Sequence, residues 1–188
     1  MPDSEQQQDV VDVLTTDHKE ALELIRQVWT SSEPDRRRDL LDTVISEVVR
    51  HAVAEEMYVY PAMREHLPDG DAAVEHDIEE HKELEQTMKQ LEGADAADPS
   101  FDEQLRKFEE QLRHHVEDEE SEQFPQLRAR IPRGQLIELA EKVETAKKLA
   151  PTRPHPSAPN NPLFHKVVGP GVGLVDRLRD KLSGRSSG

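Results

Sequence analysis

Cysteine is absent from all 188 residues. That excludes disulfides, thiolate zinc sites, iron–sulfur ligation and cysteine nucleophiles. Aromatic residues are scarce, with four Phe, two Tyr and one Trp. There are none of the long Val/Ile/Phe runs that fill a β-sandwich or a buried parallel sheet. No apolar stretch reaches the roughly 18 residues of a membrane span. The opening residues, MPDSEQQQDV, lack the basic and apolar regions of a signal peptide, so the expected location is the cytoplasm. Positive charge is also short. Against 40 Asp and Glu stand 24 Lys and Arg, a formal charge of −16. Such a surface repels phosphates, which argues against nucleic acid and against an anionic membrane as partner.

What is present suits helices. Hydrophobic and charged residues each make up 34% of the chain, and an amphipathic helix needs only about a third of its surface apolar. Apolar residues recur at steps of three and four in four segments, about Val10 to Trp29, Asp35 to His66, Asp71 to Leu91 and Ser100 to Arg130. Pro61 falls inside the second and predicts a kink or an end there; Pro125 lies near the end of the fourth. The turns between them are short, which forces antiparallel neighbours. The expected fold is all-α, an up-down four-helix bundle, with a short fifth helix from Gln135 to Leu149. Residues 1–150 therefore form one domain. Residues 151–164 carry five prolines and read as an extended linker, and 165–188 as a tail with a possible docking helix on Leu174, Leu178 and Leu182.

The informative residues are the polar ones on the apolar stripes. His18 lies between Leu14 and Leu22, His51 and Glu55 follow Val48, His81 lies between Ile78 and Leu84, and His115 and Glu119 follow Leu112. Residues four apart stand one above the other on a helix, so His51–Glu55 and His115–Glu119 each present an imidazole and a carboxylate to one point. The pattern repeats: His51-x3-Glu55-Glu56-x4-Pro61 matches His115-x3-Glu119-Glu120-x4-Pro125, and His18-Lys19-Glu20 matches His81-Lys82-Glu83. Two helical hairpins related by a pseudo-twofold would bring these residues to a shared centre.

Two carboxylates and four imidazoles in one core repel and desolvate unless cations lie between them. Imidazole suits iron, zinc and copper, and carboxylates can bridge two ions. Four His bonds, two bridging Glu and a solvent-derived oxygen bridge fill roughly ten of the twelve positions of an octahedral pair, leaving room for an exogenous ligand. Tyr58 shares the helix face of His51 and Glu55. It is a candidate catalytic residue, as a phenolate ligand or a hydrogen-bond donor to bound oxygen, unless it only packs against the turn at Pro61. Tyr60 points elsewhere by helical phase. His76 and His114 fall off the stripes, His66 lies near a helix end, and His155 and His165 lie in or after the linker. Ferritin-like sites need Glu-x-x-His, and no histidine here has Glu three residues before it.

Through HAVAEEMYVYP and HHVEDEESEQFP, over about residues 10–130, the chain resembles the hemerythrin-like, or HHE cation-binding, domains. The resemblance implies a non-haem di-iron centre, two iron ions with an oxo or hydroxo bridge. His18, His51, Glu55, His81, His115 and Glu119 would be the ligands and the two glutamates would bridge. Oxygen carriers of this family have a second histidine on the third helix, where this chain has Asp77 or Glu85, and end in His-x4-Asp rather than His-x3-Glu. Fewer imidazoles and more carboxylate favour oxidised iron and argue against simple oxygen carriage. The resemblance therefore implies reaction with a small ligand such as peroxide, O2 or NO. Catalase-like decomposition of hydrogen peroxide is one reading, and an O2-, NO- or iron-sensing module without turnover is the other.

Overall fold

A computed structural model of the chain describes residues 7–150. The expected linker at 151–164 and tail at 165–188 lie outside the described residues. Helix α1 spans Val10–Thr30, α2 Pro34–Ala54, α3 Tyr60–His66, α4 Gly70–Glu92, α5 Pro99–Asp118, α6 Phe124–Arg130 and α7 Arg133–Leu149. Two π-helical turns, Glu55–Val59 and Glu119–Gln123, join α2 to α3 and α5 to α6 without a break. The result is five rods: the four of an antiparallel bundle, and α7. Among the described residues there is no strand, and no helix is long and apolar enough to cross a membrane.

Local sequence sets the rod ends. The Asp9 carboxylate accepts from the Asp12 backbone N–H at 3.0 Å while Asp12 accepts from the Asp9 N–H at 3.1 Å, a reciprocal box that starts α1. Pro34 and Pro99 open α2 and α5 at positions where a missing N–H leaves no helix bond unmade. Gly70 opens α4 for a different reason. A Cβ there would stand 2.2 Å from the Met63 carbonyl oxygen, so the α3–α4 turn closes only on hydrogen. Gly70→Ala should therefore lower the stability of the folded protein by about 1–3 kcal/mol. Urea denaturation would read this, and an unchanged midpoint would mean that the turn has slack to give.

Pro61 does not end or sharply break the second rod, as the sequence leads one to expect. Its missing N–H and bulky ring instead fall just after a widened turn, in which the Tyr60 N–H bonds the Glu55 carbonyl five residues back. Pro125 follows the same kind of turn, with the Phe124 N–H on the Glu119 carbonyl. Each turn holds one residue more than an α-helix would, and that residue changes which side chains face inward beyond it.

The hairpin α1–α2 packs on the hairpin α4–α5, and α7 lies across α1, α2 and the first π-turn. The bundle interior has two apolar cores. One gathers Ile25, Leu41, Val44, Met88, Leu91, Phe101 and Phe108. The other gathers Leu14, Met63, Val74, Phe124, Leu127 and, from α7, Leu136 and Val143. Between them runs a layer of histidine and carboxylate.

Candidate metal centre

All six expected ligands meet in that layer. α1 supplies His18, α2 His51, α4 His81 and α5 His115, while Glu55 and Glu119 each open a π-turn. None is more than 7% exposed. The imidazoles pair off, His18 Nε2 lying 3.2 Å from His51 Nε2 and His81 Nε2 3.2 Å from His115 Nε2. The glutamates run between the pairs. Glu55 Oε1 is 3.1 Å from His51 Nε2 and its Oε2 3.5 Å from His81 Nε2. Glu119 Oε2 is 3.2 Å from His18 Nε2 and its Oε1 3.5 Å from His115 Nε2. Each histidine pair thus sees one oxygen of each carboxylate.

The outward ring nitrogens are held by a second set of carboxylates. His18 Nδ1 lies 2.9 Å from Glu120, His51 Nδ1 3.1 Å from Asp17, His81 Nδ1 3.2 Å from Glu56 and His115 Nδ1 2.8 Å from Glu80. A carboxylate that accepts the Nδ1 proton leaves the Nε2 lone pair free to face inward, which is how proteins orient a metal-binding imidazole. Glu56 and Glu120, one residue off the inner face, take the supporting position their spacing suggests. Asp17 and Glu80 lie off the apolar stripes, so periodicity does not single them out. The signal was in the repeat: an acid stands immediately before both His18 and His81. Lys147 of α7 donates to the outer oxygen of Asp17 at 2.6 Å.

The aromatic position belongs to Tyr60 and not, as expected, to Tyr58. Tyr58 is half-buried and packs against the α7-side core. The extra residue of the π-turn rotates the chain beyond Glu55, and Tyr60 swings in. Its hydroxyl lies 3.2 Å from His81 Nε2 and its ring stacks on the imidazole with centroids 5.7 Å apart. In the other half the equivalent Phe124 stacks on His18, also at 5.7 Å. Burial and the nearby Glu55 charge hold the Tyr60 phenol well above its usual range, so it stays an O–H donor.

The charges do not balance without cations. Both oxygens of Glu55 and Oε2 of Glu119 are buried without a hydrogen bond. Burial alone would neutralise Glu55, yet the charges of His51 and His81 outweigh it and hold its carboxyl well below the usual carboxylate range. In turn, burial works against charging the imidazoles, but Glu55 and Asp17 raise His51 well above its ordinary value, and Glu55 and Glu56 push His81 up to about 10. The pocket pulls protons onto His51 and His81 because it lacks other positive charge. Metal ions would supply it, and the distances agree: two nitrogens bonded to one ion at about 2.1 Å stand about 3.0–3.4 Å apart.

On α4 the inward line runs Val74, Asp77, His81, with Ile78 only half-buried. Asp77 is fully buried, and its Oδ1 accepts from Gln123 Nε2 at 2.8 Å. Burial and then the Glu119 charge push its carboxyl up to about 7. An acid raised on folding binds its proton more tightly in the folded state, so stability falls as pH rises from about 4 to about 7. Asp77→Asn keeps the acceptor for Gln123 and removes that slope. Metal-free Asp77→Asn protein should be more stable than wild type at pH 8, by on the order of 2–4 kcal/mol, and nearly equal to it at pH 4. Thermal melts at the two pH values read the difference, and equal destabilisation at both would sink the assignment.

A narrow pocket reaches the layer from the side of Ala21, Val48, Ala52, Leu84 and Leu112, touching all four imidazoles, with Glu20 and Glu47 also in its lining. It has room for a molecule of about water size. His76 and His114 lie on the surface as expected, and His66 is half-buried at the end of α3. His155 and His165 lie outside the described residues.

Residues 9–127 match the family described as Hemerythrin HHE cation binding domain. A hemerythrin-like protein of Schizosaccharomyces pombe is 28% identical over 174 residues, 92% of this chain and 86% of its own. A DNA nickase of a Nostoc species is 25% identical over 142 residues, 76% of this chain but 40% of the nickase. The crystal structure of a hemerythrin HHE cation-binding domain-containing protein from Mycobacterium kansasii superposes with a TM-score of 0.66 at 21% identity, covering 76% of this chain and 86% of that one.

Proposed function

The chain belongs to the hemerythrin HHE cation-binding domain family, and on that premise we propose that it holds two iron ions and decomposes hydrogen peroxide in a catalase-like way in the cytoplasm. His18 and His51 would hold one ion and His81 and His115 the other, with Glu55 and Glu119 shared between them. The observation that carries the reading is this shared pair of buried carboxylates, each with one oxygen toward each histidine pair. When bound, such an iron pair supplies two-electron oxidation and reduction of peroxide oxygen.

The chain's own residues do the rest. The narrow pocket over the four imidazoles, with room for a molecule of about water size, suits only the smallest ligands and shuts out organic substrates. Exposed Glu20 and half-buried Glu47 line it and are placed to accept and return protons as peroxide enters and water leaves. On the opposite side the Tyr60 hydroxyl and the Glu56 carboxylate fix the His81 ring. The nickase activity of the Nostoc relative is not carried over, because the match covers 40% of that protein and a −16 chain is poorly suited to DNA.

The test is oxygen evolution from hydrogen peroxide by the iron-loaded full chain. Many turnovers per centre are expected, with Ala21→Leu blocking the pocket and lowering turnover while iron content stays unchanged. A single stoichiometric change in the absorption spectrum, with no oxygen released, would instead favour a binding or sensing module.

A further inference from the structure

Two histidines outside the buried layer lie side by side on the bundle surface. His76 on α4 and His114 on α5 are 56% and 65% exposed, and each stands four residues before a carboxylate, Glu80 and Asp118. The outer face of these helices thus carries the same His-x3-acid spacing as the interior. His76, Glu80 and Asp118 offer ligand atoms that all lie within 4.8 Å of one another, and His114 reaches the same two carboxylates. His76 Nε2 lies 3.5 Å from Glu80 Oε1 and 3.3 Å from Asp118 Oδ2, and His114 Nδ1 lies 3.2 Å and 3.3 Å from the same two oxygens. In a tetrahedral site with bonds of about 2.0–2.1 Å, neighbouring ligand atoms stand about 3.3–3.4 Å apart. Glu79, Glu83 and Glu110 line the groove beside them and draw cations to it.

The pseudo-twofold gives a second, independent reason. Asp17 and Glu80 are equivalent, each holding the Nδ1 of a core histidine with one oxygen. The other oxygen of Asp17 meets the Lys147 ammonium. The other oxygen of Glu80 meets His76 and His114, and among the described residues its ion-pair partners are imidazoles only. In one half the outward oxygen is met by a cation built into the chain; in the other it faces a set of metal donors.

We propose that His76, Glu80 and Asp118, with His114 beside them on the same two carboxylates, form a second metal site, for a divalent cation of zinc-like chemistry, which stands to Glu80 as Lys147 stands to Asp17. Imidazole and carboxylate together suit zinc and its neighbours in the first transition row. The site takes no ligand from the inner six residues, but it is joined to them through Glu80. A cation on Glu80 Oε1 draws charge from the carboxylate whose Oε2 orients His115 at 2.8 Å.

Zinc chloride titrated into the iron-loaded full chain, followed by calorimetry with iron retention checked by elemental analysis, is the test. One zinc per chain is expected, with the His76→Gln/His114→Gln pair weakening it about tenfold or more and leaving iron content alone. His114→Lys, which copies the Lys147 arrangement, should abolish uptake in a folded protein. His155→Gln/His165→Gln should take zinc like wild type. The proposal fails if the wild type takes no further zinc, or if the His76→Gln/His114→Gln chain takes as much.

Discussion

Glu55→Gln protein, grown with ample iron, is expected to carry well below one iron per chain where the wild type carries about two. The effect should be this large because Glu55 serves both halves: its oxygens lie 3.1 Å from His51 and 3.5 Å from His81. An amide can offer one oxygen but neither the charge nor the second acceptor. The metal-free variant should show a further change. Glu55 is a leading reason that His51 and His81 hold their protons against burial. Without its charge, His81 should titrate well below its wild-type value of about 10, which the imidazole NMR signals would report. Glu120→Gln, which alters only the support of His18, should weaken iron binding by about 10–100-fold and no more. Wild-type iron content in Glu55→Gln would remove the shared-carboxylate centre altogether.

Stripping the metal from the wild type is the second large effect. An ion held at a thousandfold excess over its Kd stabilises the fold by about 4 kcal/mol, so chelation should lower the melting temperature by about 10 °C or more. The pH dependence should also invert. In metal-free protein the pKa values of His51, His81 and His115 lie above their ordinary 6.5, so their stabilisation is complete below about pH 6.5 and lost as pH rises toward the value of about 10 at His81. Glu55 is depressed, so its contribution is present above about pH 4.5 and lost on acidification. The metal-free chain should therefore be most stable between about pH 4.5 and 6.5. Metal binding needs neutral imidazole and gains as pH rises. Melts with and without chelator, taken at pH 6 and pH 9, should differ far more at pH 9. A gap that is equal at both would mean the histidines carry no protons in the metal-free core.

The six inner residues were legible because each lies on an apolar stripe where a polar side chain is out of place, and because the two halves repeat them. The family match over residues 9–127 spans all six. Tyr60 was not legible by helical phase, since an α-helix run from His51 points it away. Only the five-residue turn before Pro61 brings it to His81, and proline as a breaker predicts a bend rather than a change of phase. Asp77 was hidden for a related reason: Ile78 is the more apolar neighbour and takes the stripe on paper, while the buried line goes through the acid. Lys147 could not be found from the bundle's own pattern, because it comes from α7, 130 residues after the aspartate it meets.

The two widened turns act as rulers. From glutamate to proline the interval is six residues in both halves, Glu55 to Pro61 and Glu119 to Pro125, although the residue before the proline is Tyr in one and Phe in the other. Delete one residue from that interval and the rod would close with ordinary bonds. Everything beyond would then turn through about 100° and slide back about 1.5 Å. Tyr60 would leave His81, and Met63 would no longer meet Gly70 at the one point where only hydrogen fits. Within this duplicated chain the length of the segment, more than the identity of its aromatic, is what a descendant sequence must inherit intact.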